Sequence, residues 1–290
     1  MKFDVSLLAV SRFVVLCAVC LAFSSTNVAA LVAQDAGFFY GIDRGTLIKI
    51  DPEQQSIQEI GSTGFTIGGL AYDGSTMTLF GIDSPSGQLL TIDPSSGQTQ
   101  VVAATGFVGL LSLAYIPGDN ALYSVITTSA GPDPLVKIDP STGIGQIVGS
   151  TGFDGFGGLA YDPVADVLFG VGSSPTNFQE ELVQIDRVSG NASSIGGIQR
   201  NNVDALTVGG VNGVLITNEV LLPDPLFGNL QSSLFTLNTE TGVSAGSVEF
   251  PSRGISALTF ASRAIPEPGA ACVLMLGLTG SLLRLSLIHI

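Results

Sequence analysis

The sequence predicts an all-β domain, on three observations. Apolar runs of four to seven residues, rich in Leu, Ile, Val, Phe and Tyr, recur along the middle of the chain between turn clusters such as Asp93-Pro-Ser-Ser-Gly97 and Asp139-Pro-Ser-Thr-Gly143. This is strand chemistry rather than helix chemistry. The runs follow a fixed order of four, and the ends of the third runs (Asp51, Asp93, Asp139, Asp186, Asn238) are separated by 42, 46, 47 and 52 residues. A period of that size belongs to propellers and arrays.

The elements repeat in register. In the clearest copy, Gly157–Gly197, the first run is Leu159-Ala160-Tyr161 and the second Leu168-Phe169-Gly170; the third ends in Ile185-Asp186 and the fourth follows Ser189-Gly190. The first run recurs at Leu70 and Leu113, then as Leu206-Thr207-Val208 and Leu258-Thr259-Phe260. The second recurs as Phe39-Tyr40-Gly41, Leu79-Phe80-Gly81, Leu122-Tyr123-Ser124 and Leu215-Ile216-Thr217. In the turn after the third run, Asp accepts a local backbone N–H, Pro fixes φ and Gly supplies φ > 0. The repeated Asp therefore reads as a turn former.

Counting runs sets the closure. The N-terminal copy lacks a first run and begins at Phe38, whereas the C-terminal end carries an extra one, Ile255–Phe260. A tail strand that completes the first sheet closes a ring and leaves no gap. The prediction is a five-bladed β-propeller of four-stranded blades, sealed by one strand from the tail and three from the head. An open solenoid would need capped ends, and no polar cap is visible. The first run is expected innermost, with its Gly and Ala near the axis and its Leu and Tyr packed between blades.

Composition narrows the function. Of 290 residues 37 are Gly, as many tight turns require; 24 are acidic and 10 basic, for a net charge of −14. No basic stripe exists to meet phosphates, so nucleic-acid binding is excluded. Cys17, Cys20 and Cys272 all lie in terminal apolar segments, so no disulfide is expected in the domain. Cys17-Ala-Val-Cys20 has redox spacing but sits in a segment expected to be removed. Asn191-Ala192-Ser193 has a glycosylation pattern that a turn after Gly190 also explains.

The two ends read as addresses. Lys2 and Arg12 precede an apolar run, Phe13–Phe23, and then the small-residue site Val28-Ala29-Ala30. This is the order of a secretory signal, with cleavage expected after Ala30 and Ala33 as the alternative. At the other end Pro266-Glu267-Pro268 precedes the apolar run Ala270–Leu283 and Arg284. That arrangement resembles the PEP-CTERM sorting signal of bacterial surface proteins. The resemblance implies export, transient membrane anchoring, processing near Pro266–Pro268 by an exosortase-like enzyme, and a setting of exopolysaccharide or biofilm production. After Arg284 the chain departs from the pattern: a basic cluster is expected, and Leu285–Ile290 stands there instead. Those six residues resemble a translated sequencing-adapter tail, so the native basic end is expected to be missing. Recovery of the same six codons from independent DNA overturns this. The organisation is thus a signal peptide over 1–30, the repeat domain over 31–263 and the sorting signal with its membrane segment over 264–290.

Chemistry is sparse. His289 is the single His, so a Ser-His-Asp triad has no base, and neither a Cys nucleophile nor a His-based zinc site can be built in the domain. No phosphate-loop Lys or calcium-loop spacing appears. No cofactor, metal or catalytic residue is assigned. Carboxylates remain for the alternative of a propeller glycoside hydrolase or lyase, with Asp73, Asp162 and Asp204 near the innermost strands as candidates. Asp73 and Asp162 hold equivalent turn positions; Asp204 breaks the repeat. The stronger hint is asymmetry. Loops from second to third strands lengthen along the chain, from Asp43–Gly45 and Ser84–Gly87 to Thr127–Pro134, Gly172–Glu180 and Asn218–Gln231. Loops from fourth to first strands should share their face. Three of those carry Thr-Gly-Phe, but the next two are Gln199–Asn202 and Pro251–Gly254. One sector then gathers Arg200, Asn201, Asn202, Asp204 and Arg253 with the insert Val220–Asn229 and its Leu221, Leu222, Leu226 and Phe227. Amides, guanidinium and an aromatic suit a polysaccharide or surface-protein ligand, and loops carry function more often than scaffold. A purely structural matrix role is the third reading.

Overall fold

Burial along each strand follows its place in the sheet: inner and middle strands are covered on both faces and fourth strands stay largely exposed. Thr46–Asp51, for example, buries Leu47, Ile48 and Ile50 while Thr46 and Lys49 stay partly exposed. The computed structural model describes residues 37–262, apart from 52–53, 55, 130, 201, 210–213, 222–230 and 252. The described residues form twenty strands in five four-stranded antiparallel sheets, with a 3₁₀ turn at Pro117–Asp119. The first sheet holds β1 (Gly37–Asp43), β2 (Thr46–Asp51) and β3 (Ser56–Ser62), and the last strand of the chain, β20 (Ile255–Ser262), lies beside β1. The second runs β4 (Ile67–Asp73), β5 (Thr78–Asp83), β6 (Gln88–Ile92), β7 (Thr99–Ala104). The third runs β8 (Leu110–Ile116), β9 (Ala121–Ile126), β10 (Pro134–Ile138), β11 (Gly145–Ser150). The fourth runs β12 (Asp154–Asp162), β13 (Val167–Ser173), β14 (Glu180–Ile185), β15 (Ala192–Gly197), and the fifth β16 (Val203–Gly209), β17 (Val214–Leu221), β18 (Gln231–Leu237), β19 (Ser244–Pro251).

The arrangement is that of a propeller. The innermost strands β4, β8, β12, β16 and β20 touch in succession, and β20 touches β4. Each of the five buried clusters spans two sheets: Tyr40, Ile42 and Leu47 pack on Ile67, Leu70 and Leu79, and so on round to Ala205, Leu234 and Phe250 packing on Phe39, Ile48 and Leu258. Tyr72 meets Tyr40 of the preceding sheet at 6.2 Å and Tyr115 meets Phe80 at 6.1 Å, so the first-run tyrosines lie between sheets. At the seam Tyr40 pairs with Thr259 and Gly41 with Leu258.

Two devices keep the sheets together and their edges apart. The fourth strand of one sheet is met by the Ser/Thr-Gly turn of the next. At Gly149 any Cβ would overlap the Ser189 carbonyl, and Ala192 N–H donates to Thr151 O at 2.9 Å beside it. Every third strand also carries a bulge against the fourth, between Leu135 and Val136 in the third sheet and at equivalent points elsewhere. A bulge twists the outer edge and blunts it against further pairing.

The turns are those the sequence predicts. Asp93 accepts N–H of Ser95 at 2.7 Å and of Ser96 at 3.1 Å, Asp139 does the same with Ser141 and Thr142, and Gly97 and Gly143 adopt φ of 76° and 70°. One loop assignment is corrected. Asn218–Leu221, expected at the head of a long insert, extends β17 and pairs with Gln231–Leu234. Pairing satisfies the backbone groups of this apolar run, which a loop would leave to water. Gly172 and Ser173 likewise belong to β13, which leaves Ser174–Gln179 as the connection.

Candidate functional site

The inner strands run in one sense, so the molecule has two faces. The upper one carries the loops from fourth to first and from second to third strands. These bond to each other: Thr63 N–H donates to Gly45 O, Thr105 to Gly87 O, Thr151 to Asp133 O and Ile198 to Glu180 O, at 2.9–3.0 Å. The lower face carries the turns from first to second strands; the Asp turns from third to fourth strands lie at the rim, where each meets the fourth-to-first loop of the preceding sheet, as Ala192 N–H meets Thr151 O.

On the upper face the fourth and fifth sheets build the most irregular sector. The loop after β13 is closed by Ser174 N–H to Gln179 O and Phe178 N–H to Ser174 O, both 2.9 Å, and Asn177 Oδ1 accepts Gln179 N–H at 2.9 Å. This holds Phe178 at φ 57° with 78% of its surface exposed. Two residues on, the Glu180 carboxylate accepts N–H of Asn202 at 3.0 Å and of Val203 at 3.2 Å. The loop from β15 to β16 turns through Gln199 at φ 60° and Asn202 at φ 59°. Of eight described non-Gly residues with positive φ, three are in this sector. Such conformations cost on the order of 1–3 kcal/mol each for non-Gly residues and concentrate where a chain is shaped for contact.

Each sequence candidate has a distinct place. Arg200 lies in the sector, half-buried; its guanidinium stacks 4.1 Å above the Phe235 ring and Nε donates to Ser244 Oγ at 3.4 Å. Asn202 is exposed there. Arg253 is not part of this group. It forms ion pairs with Asp43 at 2.8 Å and Glu59 at 2.7 Å, and the next residue, Gly254, donates its N–H to Asp43 Oδ1 at 3.1 Å. Arg253 thus fastens the tail strand to the first sheet, because the buried Asp43 at the end of β1 needs a cation beside it. Asn201, Leu222, Leu226, Phe227 and Pro266-Glu267-Pro268 lie outside the described residues, as do the apolar runs at both ends. Leu221 belongs to β17. No described helix is long and apolar enough to cross a membrane.

Asp204 does not converge with the other two channel carboxylates. Asp73 accepts from Ser75 N–H at 2.9 Å and Thr76 Oγ1 at 2.6 Å, and Asp162 accepts N–H of Val164 at 2.8 Å and of Ala165 at 3.1 Å. Both end inner strands on the lower face. Asp204 lies at the upper mouth, level with Gly68 and Gly157 among the residues lining the narrow axis. Five residues separate that level from Asp73, about 16 Å of strand, beyond the roughly 5–9.5 Å that a glycosidase pair needs. Asp204 reaches solvent, yet the crowded mouth desolvates its carboxyl and raises its pKa. No group of three or more His, Cys, Asp or Glu side chains able to hold a metal gathers among the described residues. Sequence reading missed Phe178. An aromatic in a loop whose three earlier repeat equivalents, Asp43–Gly45, Ser84–Gly87 and Thr127–Pro134, carry none was the available signal.

No family model matches the chain, and no curated protein matches it significantly. Among solved structures, a chain of a nidogen/laminin complex aligns with a TM-score of 0.55 at 12% identity, over 78% of this chain and 98% of that one. A protein of unknown function from Bacteroides thetaiotaomicron aligns with a TM-score of 0.46 at 12% identity, over 73% of this chain and 64% of the other. A chain of Kuenenia stuttgartiensis hydrazine synthase aligns with a TM-score of 0.43 at 12% identity, over 71% and 60%. The first likeness supports the propeller fold.

Proposed function

We propose that the protein is an exported, surface- or matrix-directed β-propeller of five blades that binds polysaccharide or a surface protein without catalysis. An exosortase-like enzyme processes it near Pro266–Pro268, and it is held for a time at the membrane through its C-terminal segment. The single observation that carries the binding reading is Phe178, an aromatic ring 78% exposed on a loop closed by its own hydrogen bonds. A preformed exposed ring loses little freedom on contact and offers an apolar face to a sugar ring or an apolar side chain. Asn202, whose backbone N–H is held by Glu180 two residues beyond Phe178, lies exposed in the same sector to hydrogen-bond hydroxyl or carboxylate groups. A likeness to a chain of a nidogen/laminin complex is compatible with a binding propeller.

The test is a glycan and surface-protein array probed with the purified chain, followed by titration of each ligand found. Phe178→Ala and Asn202→Ala are expected to weaken binding roughly tenfold or more, as hot-spot truncations do. Arg253→Ala, measured under conditions where it remains folded, is expected to leave affinity unchanged. Turnover of a bound glycan, or wild-type affinity in both loop variants, overturns the proposal.

A further inference from the structure

We propose that the lower face is the membrane-proximal surface of this propeller, so that the Phe178–Asn202 sector points away from the bilayer. The inference rests on the C-terminal anchor of the proposed function and adds its geometry. Gly37 pairs with Ser262 at the lower ends of β1 and β20. Both ends of the described chain therefore leave side by side from one face, the face opposite the candidate site. Seven residues, 263–269, separate Ser262 from the apolar run that begins at Ala270, and fully extended they reach at most about 25 Å. An inner strand of seven residues such as β4 already rises about 23 Å, and the upper loops project beyond it. A leash of that length is spent in passing the flank of the domain. It cannot also lay the upper face on lipid.

The lower face is unsuited to lying flat on an anionic bilayer. Its loops from first to second strands carry Asp73, Asp119, Asp162 and Asp166, with Arg187 reaching two of them. Repulsion between these and acidic headgroups fades within a Debye length, about 10 Å at 0.1 M salt. The domain stands off the membrane on its leash with the binding sector outermost, where a polysaccharide or another surface protein meets it first.

Single-cysteine labelling of the full chain in liposomes tests this. With Cys17, Cys20 and Cys272 changed to Ser, no thiol remains. Met77→Cys and Val164→Cys then label the lower face, and Val108→Cys labels the upper; these residues are 68%, 79% and 62% exposed. A dye at each site is quenched by acceptors on the lipid headgroups. The two lower sites are expected to be quenched roughly twofold or more over Val108, since a strand length of about 23 Å separates the faces. On acidic lipid that quenching is expected to grow from low to high salt. Equal quenching at all three sites, or stronger quenching at Val108, in chain that floats with the vesicles overturns the orientation alone. Failure to float overturns the anchor and the orientation with it, while ligand binding by the array remains a separate result.

Discussion

Arg253 shows how a residue's setting changes its meaning. Between Ser252 and Gly254 in a loop it reads as a free guanidinium, available to a ligand. In the fold it sits against Asp43 and Glu59, with Asp43 almost fully buried. Removing the cation leaves that carboxylate with the Gly254 N–H at 3.1 Å and the exposed Arg44 at 3.9 Å. Arg253→Ala is therefore expected to cost about 1–3 kcal/mol, the penalty for a poorly satisfied buried charge, read as a shift in urea midpoint at unchanged slope. Adding Asp43→Asn removes the stranded charge and should recover part of the loss. A double variant less stable than either single would show that the two residues act through separate contacts. Phe178 is the converse case: nothing in the fold calls for an exposed ring there, and the loop spends backbone strain to display it.

At the scale of elements, strand order and the seam were legible in the sequence because their causes are local. Short apolar runs, Asp-Pro and Ser-Gly turns and a missing first run are all written within one or two repeats. The end of β17 was not legible. Val220-Leu221 and Gln231-Ser232 become strand by pairing across a gap in sequence; the turn residues Pro223-Asp224-Pro225 and Gly228-Asn229 stand just outside the paired run, but how far the pairing reaches toward them is set by the partner strand. The sector on the upper face was half legible: breaks in the Thr-Gly-Phe pattern pointed to Arg200 and Asn202, whereas Phe178 and the true role of Arg253 depend on neighbours from other parts of the chain. The fourth-strand glycines were unreadable for the same reason. Gly149 looks like filler in a strand until the next sheet's Ser189 carbonyl fills the space of its Cβ. Gly149→Ala must push that turn away, at about 1–3 kcal/mol for an overpacked contact. Gly118→Ala, with open space at its Cβ, is the control and should be close to neutral. Equal stability of the two variants by chemical denaturation would mean that the sheets slide past one another freely.

For the whole molecule, acidity is the remaining lever, because the chain carries a net charge of −14 and the displaced carboxylates among its described residues fall into two opposed sets. Hydroxyl and N–H donors hold Asp93 and Asp139 below the usual value of 3.8, and N–H donors do the same for Asp186. A lowered folded value means stability that is present above 3.8 and lost as pH falls through the folded values. Asp204 is displaced the other way, raised by desolvation at the channel mouth. Its ionised form opposes folding at neutral pH, and protonating it between its raised value and 3.8 restores what was lost. Thermal stability should therefore rise as pH drops from neutral toward 3.8, then fall steeply below it as the turns lose their acceptors. Asp204→Asn abolishes the titration: it should raise Tm near neutral pH, flatten the rising limb and leave the acid limb below 3.8 where it was. A variant whose Tm matches the wild type at neutral pH would mean that water in the channel mouth already solvates the carboxylate. A variant whose acid limb moves would mean that the channel and the turns unfold as one electrostatic unit.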